Sequence, residues 1–391
     1  MVLEVFTMLA IKNITLVMKD HLVPDAMLLL DQGIIRDYGE LRGTPVPAGA
    51  QIVDGGGLFA GPGLIDIHTH AGGGAIFTDD PGRASRNLLA HGVTGVLPAL
   101  YFSLDKAGYL AAIDKINNAV ASGNCPNILG CYMEGPYLNP KFGADRQNNP
   151  WQGPIQREDY LDILERVART ARVWALAPER EGIGEFVRTV KAAIPDIVFS
   201  VAHSEASPEQ IESLIPYGLH LATHHTNATG DLPKYPEVRG VCVDETVNYH
   251  DDIYAELICD SRGIHVAPYM LRLIEKIKGK DKLILISDAY ISDAPAPPGY
   301  DGVTDINFDY AGEIAGSKLT LEVACRNMMV HTGCSLADVF RYASANPARL
   351  LGLSQFGEIG LGRAADIILV DSWMNVRQVI KNGRIIQSET E

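Results

Sequence analysis

GLIDIH (63–68), GVTGVLPA (92–99), NILGCYME (127–134), ARVWALAP (171–178), DIVFSVAH (196–203), LHLATH (219–224), IYAELICD (253–260) and KLILISD (282–288) decide the fold. Each is a short apolar run with few interruptions, the composition of a parallel strand buried on both faces. Helix-like stretches separate most of them, at 105–121, 157–170, 183–193, 207–215, 268–278 and 318–332. One has an explicit start: Ser207-Pro208-Glu209-Gln210 supplies an N-cap, a Pro at the first helical position and a Gln at the third. Eight strand–helix units in succession predict an α/β fold, a (β/α)8 TIM barrel over 58–357. A doubly wound sheet is the alternative. The eightfold count and the placement of the polar residues favour the barrel.

The two ends of the chain have another texture. MLAIKNITLV, AMLLLDQGIIRDYG and AQIVDGGG before residue 58, and GEIGLGRAADIILVD and VRQVIKNGRII near the end, are β-branched runs punctuated by hairpin dipeptides. Neither is large enough to fold well alone. Residues 1–57 and 358–391 are therefore expected to pair into one small composite β-sandwich domain that brings the termini together.

Composition bounds the partners. The chain has 391 residues, 33 basic against 48 acidic side chains and a net charge of −15, which disfavours nucleic acid or an anionic membrane surface. No apolar run approaches the ~20 residues of a membrane helix, and no basic segment precedes the apolar N-terminus as in a signal peptide. Six cysteines form no CxxC pair and read as reduced thiols of a cytoplasmic protein.

Five of the eight runs end in or near a metal-type ligand or an acid: His68-Thr69-His70, Glu134, His203, His224-His225 and Asp288. In a barrel, strand C-termini converge on one mouth, where active sites sit. A lone His at a strand end is more often a hydrogen-bonding residue than a ligand. Five such ends in one barrel outweigh that reading, and His68 and His70, two apart on a strand, point to one side. His91, His220, His250 and His331 lack this placement and read as structural or surface residues. Histidines and carboxylates without clustered cysteine suit Zn²⁺, or Fe²⁺, Mn²⁺ or Co²⁺. Such an ion makes hydroxide available at neutral pH and polarises a carbonyl. Asp288 is the candidate proton shuttle, with a helix cap or a plain ligand as its other readings.

GLIDIHTHAGGG (63–74), MEGPYLNPKFGA (133–144), AHSEAS (202–207), ATHHTNAT (222–229) and LISDA (285–289) together resemble the amidohydrolase superfamily. Within it they are most similar to the N-acetylglucosamine-6-phosphate deacetylases, over essentially the whole chain. The EGP and HxxNA motifs are more specific to that branch than HxH is. The resemblance implies that Glu134, His203 and His224 are the primary metal ligands, that His68 and His70, retained here, leave room for a second ion beside Asp288, so that one or two ions bind per chain, and that Asp288 is the general base and acid. It implies that His265 contacts substrate near the scissile amide, that Asn227 and Ala228 hold the phosphate end, and that Ala144 and Asp145 touch substrate. Ile314, Ala315 and Gly316 match a loop that closes over the sugar. A phosphate-binding Arg from a neighbouring subunit is usual in the family, which implies a homodimer; here Lys234 takes its place, with Arg239 five residues on. Lys neutralises phosphate but offers no bidentate fork.

The expected activity is metal-dependent hydrolysis of an N-acetyl amide on an amino sugar, N-acetylglucosamine-6-phosphate first. The alternatives are N-acetylgalactosamine-6-phosphate, an unphosphorylated acetylated sugar or another amide. A cyclic-amide hydrolase or deaminase would show a bridging Lys after a strand, where this chain has Glu134. A non-catalytic scaffold would have lost ligands that are all present here.

Overall fold

The computed structural model describes residues 8–42, 45–230, 237–238 and 240–387. All eight apolar runs contain strands: Leu64–Thr69, Val93–Tyr101, Cys131–Glu134, Ala171–Leu176, Val198–Val201, Leu219–Ala222, Tyr254–Ile258 and Leu283–Ile286. They are numbered here as barrel strands one to eight. Each pairs in parallel with the next, in chain order. The sheet is a nearly closed TIM barrel, and its strands are buried almost throughout, which is why they read as apolar runs rather than alternating ones. Strands eight and one meet through their ends instead of a full ladder. The Asp288 N–H donates to the His68 carbonyl at 2.9 Å, and the Ser287 hydroxyl donates to Asp66 at 2.6 Å. The contacts that join strands eight and one therefore also place Asp288 beside His68.

The expected helices are present, two at their expected bounds and four trimmed, as Lys106–Ala121, Arg157–Val167, Ile183–Ala193, Pro208–Glu212, Pro268–Lys278 and Leu321–Thr332. Ser207 and Gln210 form the reciprocal capping box, but that helix stops after five residues and a short turn of 3-10 helix follows at Ile215–Tyr217. Four further α-helices among the described residues lie outside the expected stretches: Pro81–Ala90, Val243–Tyr249, Leu336–Phe340 and Asn346–Leu350. No helix among the described residues is long and apolar enough to cross a membrane.

Eight strands from both chain ends make a second sheet. Leu9–Val17, Leu22–Asp31, Ile34–Glu40, Gln51–Asp54 and Phe59–Pro62 come from the N-terminal side; Ile367–Val370, Val376–Lys381 and Arg384–Ile386 come from the C-terminal side. Phe59–Pro62, just past the boundary expected at 57/58, is the strand that joins the two contributions: it pairs with Leu9–Val17 and with Ile367–Val370. Asn382-Gly383 turns the last hairpin with both residues left-handed, at φ 51° and 74°, the requirement of a type I′ turn. Leu9, Ile11, Leu28, Leu30, Ile367 and Leu369 share a separate apolar core on one face. The sheet is keyed to the barrel by Lys381, whose buried ammonium donates to the Thr94 carbonyl at 2.9 Å and to Asp366 at 2.6 Å.

Candidate active site

Six side chains converge at the C-terminal mouth of the barrel as two trios. Glu134, His203 and His224 form one; His68, His70 and Asp288 form the other, and within each trio the candidate ligand atoms lie within 4.8 Å of one another. Glu134 stands between them and divides its oxygens. Its Oε1 faces His203 Nε2 at 3.0 Å and His224 Nε2 at 3.4 Å. Its Oε2 faces His70 Nε2 at 3.2 Å and His68 Nε2 at 3.4 Å. Asp288 Oδ1 completes the second trio, 3.3 Å from His70 Nε2.

The backbone is bent to make this possible. His203, His224 and Asp288 follow directly on strands five, six and eight, and all three take left-handed φ, at 42°, 31° and 45°. Non-glycine residues rarely adopt that conformation, and their clustering at one mouth is the pattern of a functional site. Two glycines permit close approach. A Cβ on Gly143 would sit 2.9 Å from His203 Nδ1, and one on Gly316 would sit 2.6 Å from the Asp288 carbonyl oxygen.

The donor set fits a cation. His70 Nδ1 lies 3.1 Å from the Ala99 carbonyl, which only accepts, so Nδ1 carries the proton and Nε2 presents its lone pair. His68 Nδ1 lies 3.0 Å from Glu256 Oε2, with the same consequence. Both lone pairs then face carboxylate oxygens. His203 Nε2 and His224 Nε2 face each other at 3.0 Å as well. Only positive charge among these atoms resolves the conflict, as added protons or as metal ions. His68 Nε2 and Glu134 Oε2 are buried without a hydrogen-bond partner among the described residues, and a cation held there would satisfy both.

Proton equilibria report the same conflict. Burial opposes charging His70, but hydrogen bonds to Asp288 and Glu134 lift it to about 9. Burial likewise opposes His68, and the charges of Glu256 and Glu134 hold it well above the ordinary imidazole value. Burial alone would raise Glu134; the charge of His68 and the hydrogen bonds from His203 and His224 hold it well below the carboxylate range. Asp288 is also lowered, burial being outweighed by the His70 hydrogen bond and the charges of His68 and His70. Both carboxylates are therefore ionised at neutral pH, as ligands must be.

A cavity of about 570 Å³ opens over the trios. His265 lines it, six per cent exposed, with Nδ1 3.2 Å from Asp260 Oδ2 and with Nε2 without a hydrogen-bond partner among the described residues. Asp260 also accepts from the backbone N–H groups of Ile264 and His265, at 2.9 and 2.8 Å. Against burial, these bonds hold Asp260 far below its usual value, led by the one from His265. Asp260 thus fixes the ring and leaves Nε2 for whatever enters the cavity. Asn227, Ala228, Ala144, Asp145, Ile314, Ala315 and Gly316 all line the same cavity. The last three lie in a strand, Ile314–Ser317, antiparallel to Ile306–Phe308 and stitched to the Asp288 carbonyl by the Ser317 N–H. Lys234 and Arg239 lie outside the described residues.

Sequence reasoning passed over several residues. Glu256, Asp260 and Asp66 hold His68, His265 and Ser287 respectively. Burial pushes the Asp66 carboxyl up to about 7, against its bonds with Ser287. Their only signal was an acid inside or at the end of an apolar run. Tyr101 and Tyr290 flank His70 edge-on, and Asp293, Asp309 and Glu313 line the cavity. His225 goes elsewhere, to Asn248 at 3.2 Å. His91, His250 and His331 pair with Glu322, Glu212 and the Asp260 carbonyl.

Comparisons with known proteins agree with this geometry. The family model for the amidohydrolase family matches residues 59–386. An N-acetylglucosamine-6-phosphate deacetylase of Bacillus subtilis (strain 168) is 28% identical, with 96% of each chain covered. An N-acetylgalactosamine-6-phosphate deacetylase of Escherichia coli O157:H7 is also 28% identical, over 93% of this chain and 99% of that one. Among solved structures, a mutant N-acetyl-D-glucosamine-6-phosphate deacetylase from Mycobacterium smegmatis, in complex with N-acetyl-D-glucosamine-6-phosphate, superposes with a TM-score of 0.81. It is 26% identical, over 97% of this chain and 99% of that chain.

Proposed function

From the premise that the chain belongs to the amidohydrolase family, we propose that it removes the acetyl group from an N-acetylated amino sugar, N-acetylglucosamine-6-phosphate first, giving acetate and the free amine. The observation that carries this reading is Glu134 shared between two ligand trios at the floor of a cavity lined also by the free Nε2 of His265. Relatives that act on two different acetylated sugar phosphates match almost the whole chain, which supports the reaction class.

In this reading Glu134, His203 and His224 hold one divalent ion and His68, His70 and Asp288 a second, with zinc first and iron, manganese or cobalt as alternatives. Such ions lower the pKa of a bound water towards ~7 and polarise the amide carbonyl. Asp288, ionised and at the rim of the trio, takes the proton of the attacking water. His265, its Nδ1 held by Asp260, presents Nε2 to the amide end of the substrate. Asp288 then gives its proton to the leaving nitrogen, which cannot depart as an anion. Ala144, Asp145, Asn227, Ala228 and the strand Ile314–Ser317 surround the sugar, and Lys234 or Arg239 supplies the phosphate cation. The protein acts in the cytoplasm, consistent with six free cysteines, and as a homodimer whose subunits complete each other's phosphate sites.

One observation favours a second reading. The described lining holds Asp145, Asp293, Asp309 and Glu313 and no Lys or Arg. An acidic rim suits an unphosphorylated acetylated sugar better than a phosphate. An acetate-release assay on N-acetylglucosamine, its 6-phosphate and N-acetylgalactosamine-6-phosphate, with added divalent metals, separates the readings. Metal-dependent release, fastest from N-acetylglucosamine-6-phosphate, is expected; no acetate from any member of the panel after metal loading ends the proposal.

His265→Ala, which removes the imidazole that Asp260 aims at the amide, lowers kcat by about 10²-fold or more with metal content unchanged. A change confined to KM would instead make His265 a plain substrate-binding residue.

A further inference from the structure

Glu256 lies in barrel strand seven, in the run IYAELICD, and is fully buried. An acid there interrupts an otherwise apolar strand, and an unpaired buried carboxylate is costly. Its Oε2 is engaged twice. It faces His68 Nδ1 at 3.0 Å, and it accepts the backbone N–H of His224 at 3.1 Å. The Glu256 carbonyl accepts the next N–H, that of His225, at 2.8 Å. One residue therefore grips an imidazole of the second trio and the left-handed turn that presents an imidazole of the first.

The other three histidines are held differently. His70 Nδ1 meets a neutral carbonyl, and Nδ1 of His203 and of His224 has no hydrogen-bond partner among the described residues. His68 is thus the imidazole whose outer nitrogen faces a carboxylate. That contact fixes the tautomer, aims Nε2 at Glu134 and Asp288, and makes the ring a better donor to a cation. Tyr132 stacks on the same ring at 4.4 Å and keeps it from turning.

We propose that Glu256 is a positioning residue that couples the two metal positions, holding His68 for one and the His224 turn for the other through a single carboxylate oxygen. The inference rests on the two-ion reading above and adds to it an origin for cooperation between the ions. Glu256 touches neither ion nor substrate; it acts through His68 and His224.

The test is metal binding, not turnover. Apo protein is titrated with Zn²⁺ against a chromogenic chelator, metal per chain is measured by mass spectrometry, and the Co²⁺-loaded protein is examined by visible absorption. Glu256→Gln keeps an acceptor oxygen but loses the charge; Glu256→Met loses both. Wild type is expected to take up two ions. Glu256→Met is expected to weaken both binding steps by about 10–100-fold, the scale for loss of an outer-shell partner. Glu256→Gln is expected to fall between, with an altered cobalt spectrum and unchanged apo-protein circular dichroism. Weakening of only one step, or affinities and spectra like wild type in both variants, overturns the coupling. Wild type that takes up no ion overturns the metal reading itself, and with it this inference.

Discussion

Asp288→Asn lowers kcat for acetate release by about 10²–10⁴-fold, the range for loss of a general acid–base group, and leaves metal content near wild type. The substitution keeps shape and one oxygen, so the second trio retains a donor. It removes the ability to hold a proton. Asp288 is ionised at neutral pH because the His70 hydrogen bond and the charges of His68 and His70 outweigh its burial. Its backbone is fixed independently of its carboxylate, by the His68 carbonyl on one side and the Ser317 N–H on the other. The variant should therefore fold and load metal. A lowered carboxylate pKa means that wild-type activity rises with pH through that pKa and then levels, since the base is competent only above it. The Asn variant should lose this acidic limb. Near wild-type turnover with metal retained would take the proton transfer away from Asp288.

The barrel was legible because parallel strands buried on both faces leave uninterrupted apolar runs, and all eight did so. The helix Pro81–Ala90 was not. Its buried face, Pro81, Ala84, Ser85, Leu88 and Leu89, keeps the helical spacing, but three of these five residues are Pro, Ala and Ser, so few large apolar side chains mark the stripe. The candidate ligand residues were visible one by one, as polar residues ending apolar runs. Their grouping into trios was not. It depends on Glu134 sending one oxygen each way, which is a matter of rotamer rather than sequence spacing. The holders of the site were hidden for a related reason. Glu256 and Asp66 sit inside strands, where an acid looks like an interruption. Their value shows only when His68 Nδ1 and the Ser287 hydroxyl arrive from elsewhere in the chain.

Glu134→Ala is expected to empty both trios at once. Each has two or three other members, and loss of one ligand from a three-residue set ordinarily weakens one ion. Glu134 differs because Oε1 serves His203 and His224 while Oε2 serves His68 and His70. Metal per chain should fall from two to near zero. Water in the cavity then keeps its bulk acidity, whereas a bound ion would lower it towards about 7. Turnover should drop by at least about 10⁴-fold, more than for Asp288→Asn, because nucleophile and carbonyl polarisation are lost together. Glu134→Gln divides the effect. The amide has one neutral oxygen and an NH2 that cannot ligate, so at most one trio keeps a donor from this residue, and stoichiometry should fall to one ion or fewer. His68→Ala, by contrast, touches the second trio alone and should leave the first ion in place. Metal analysis of the three variants beside wild type, with circular dichroism to show that each folds, decides the matter. If Glu134→Ala and His68→Ala lose the same single ion, Glu134 belongs to one trio and is not shared.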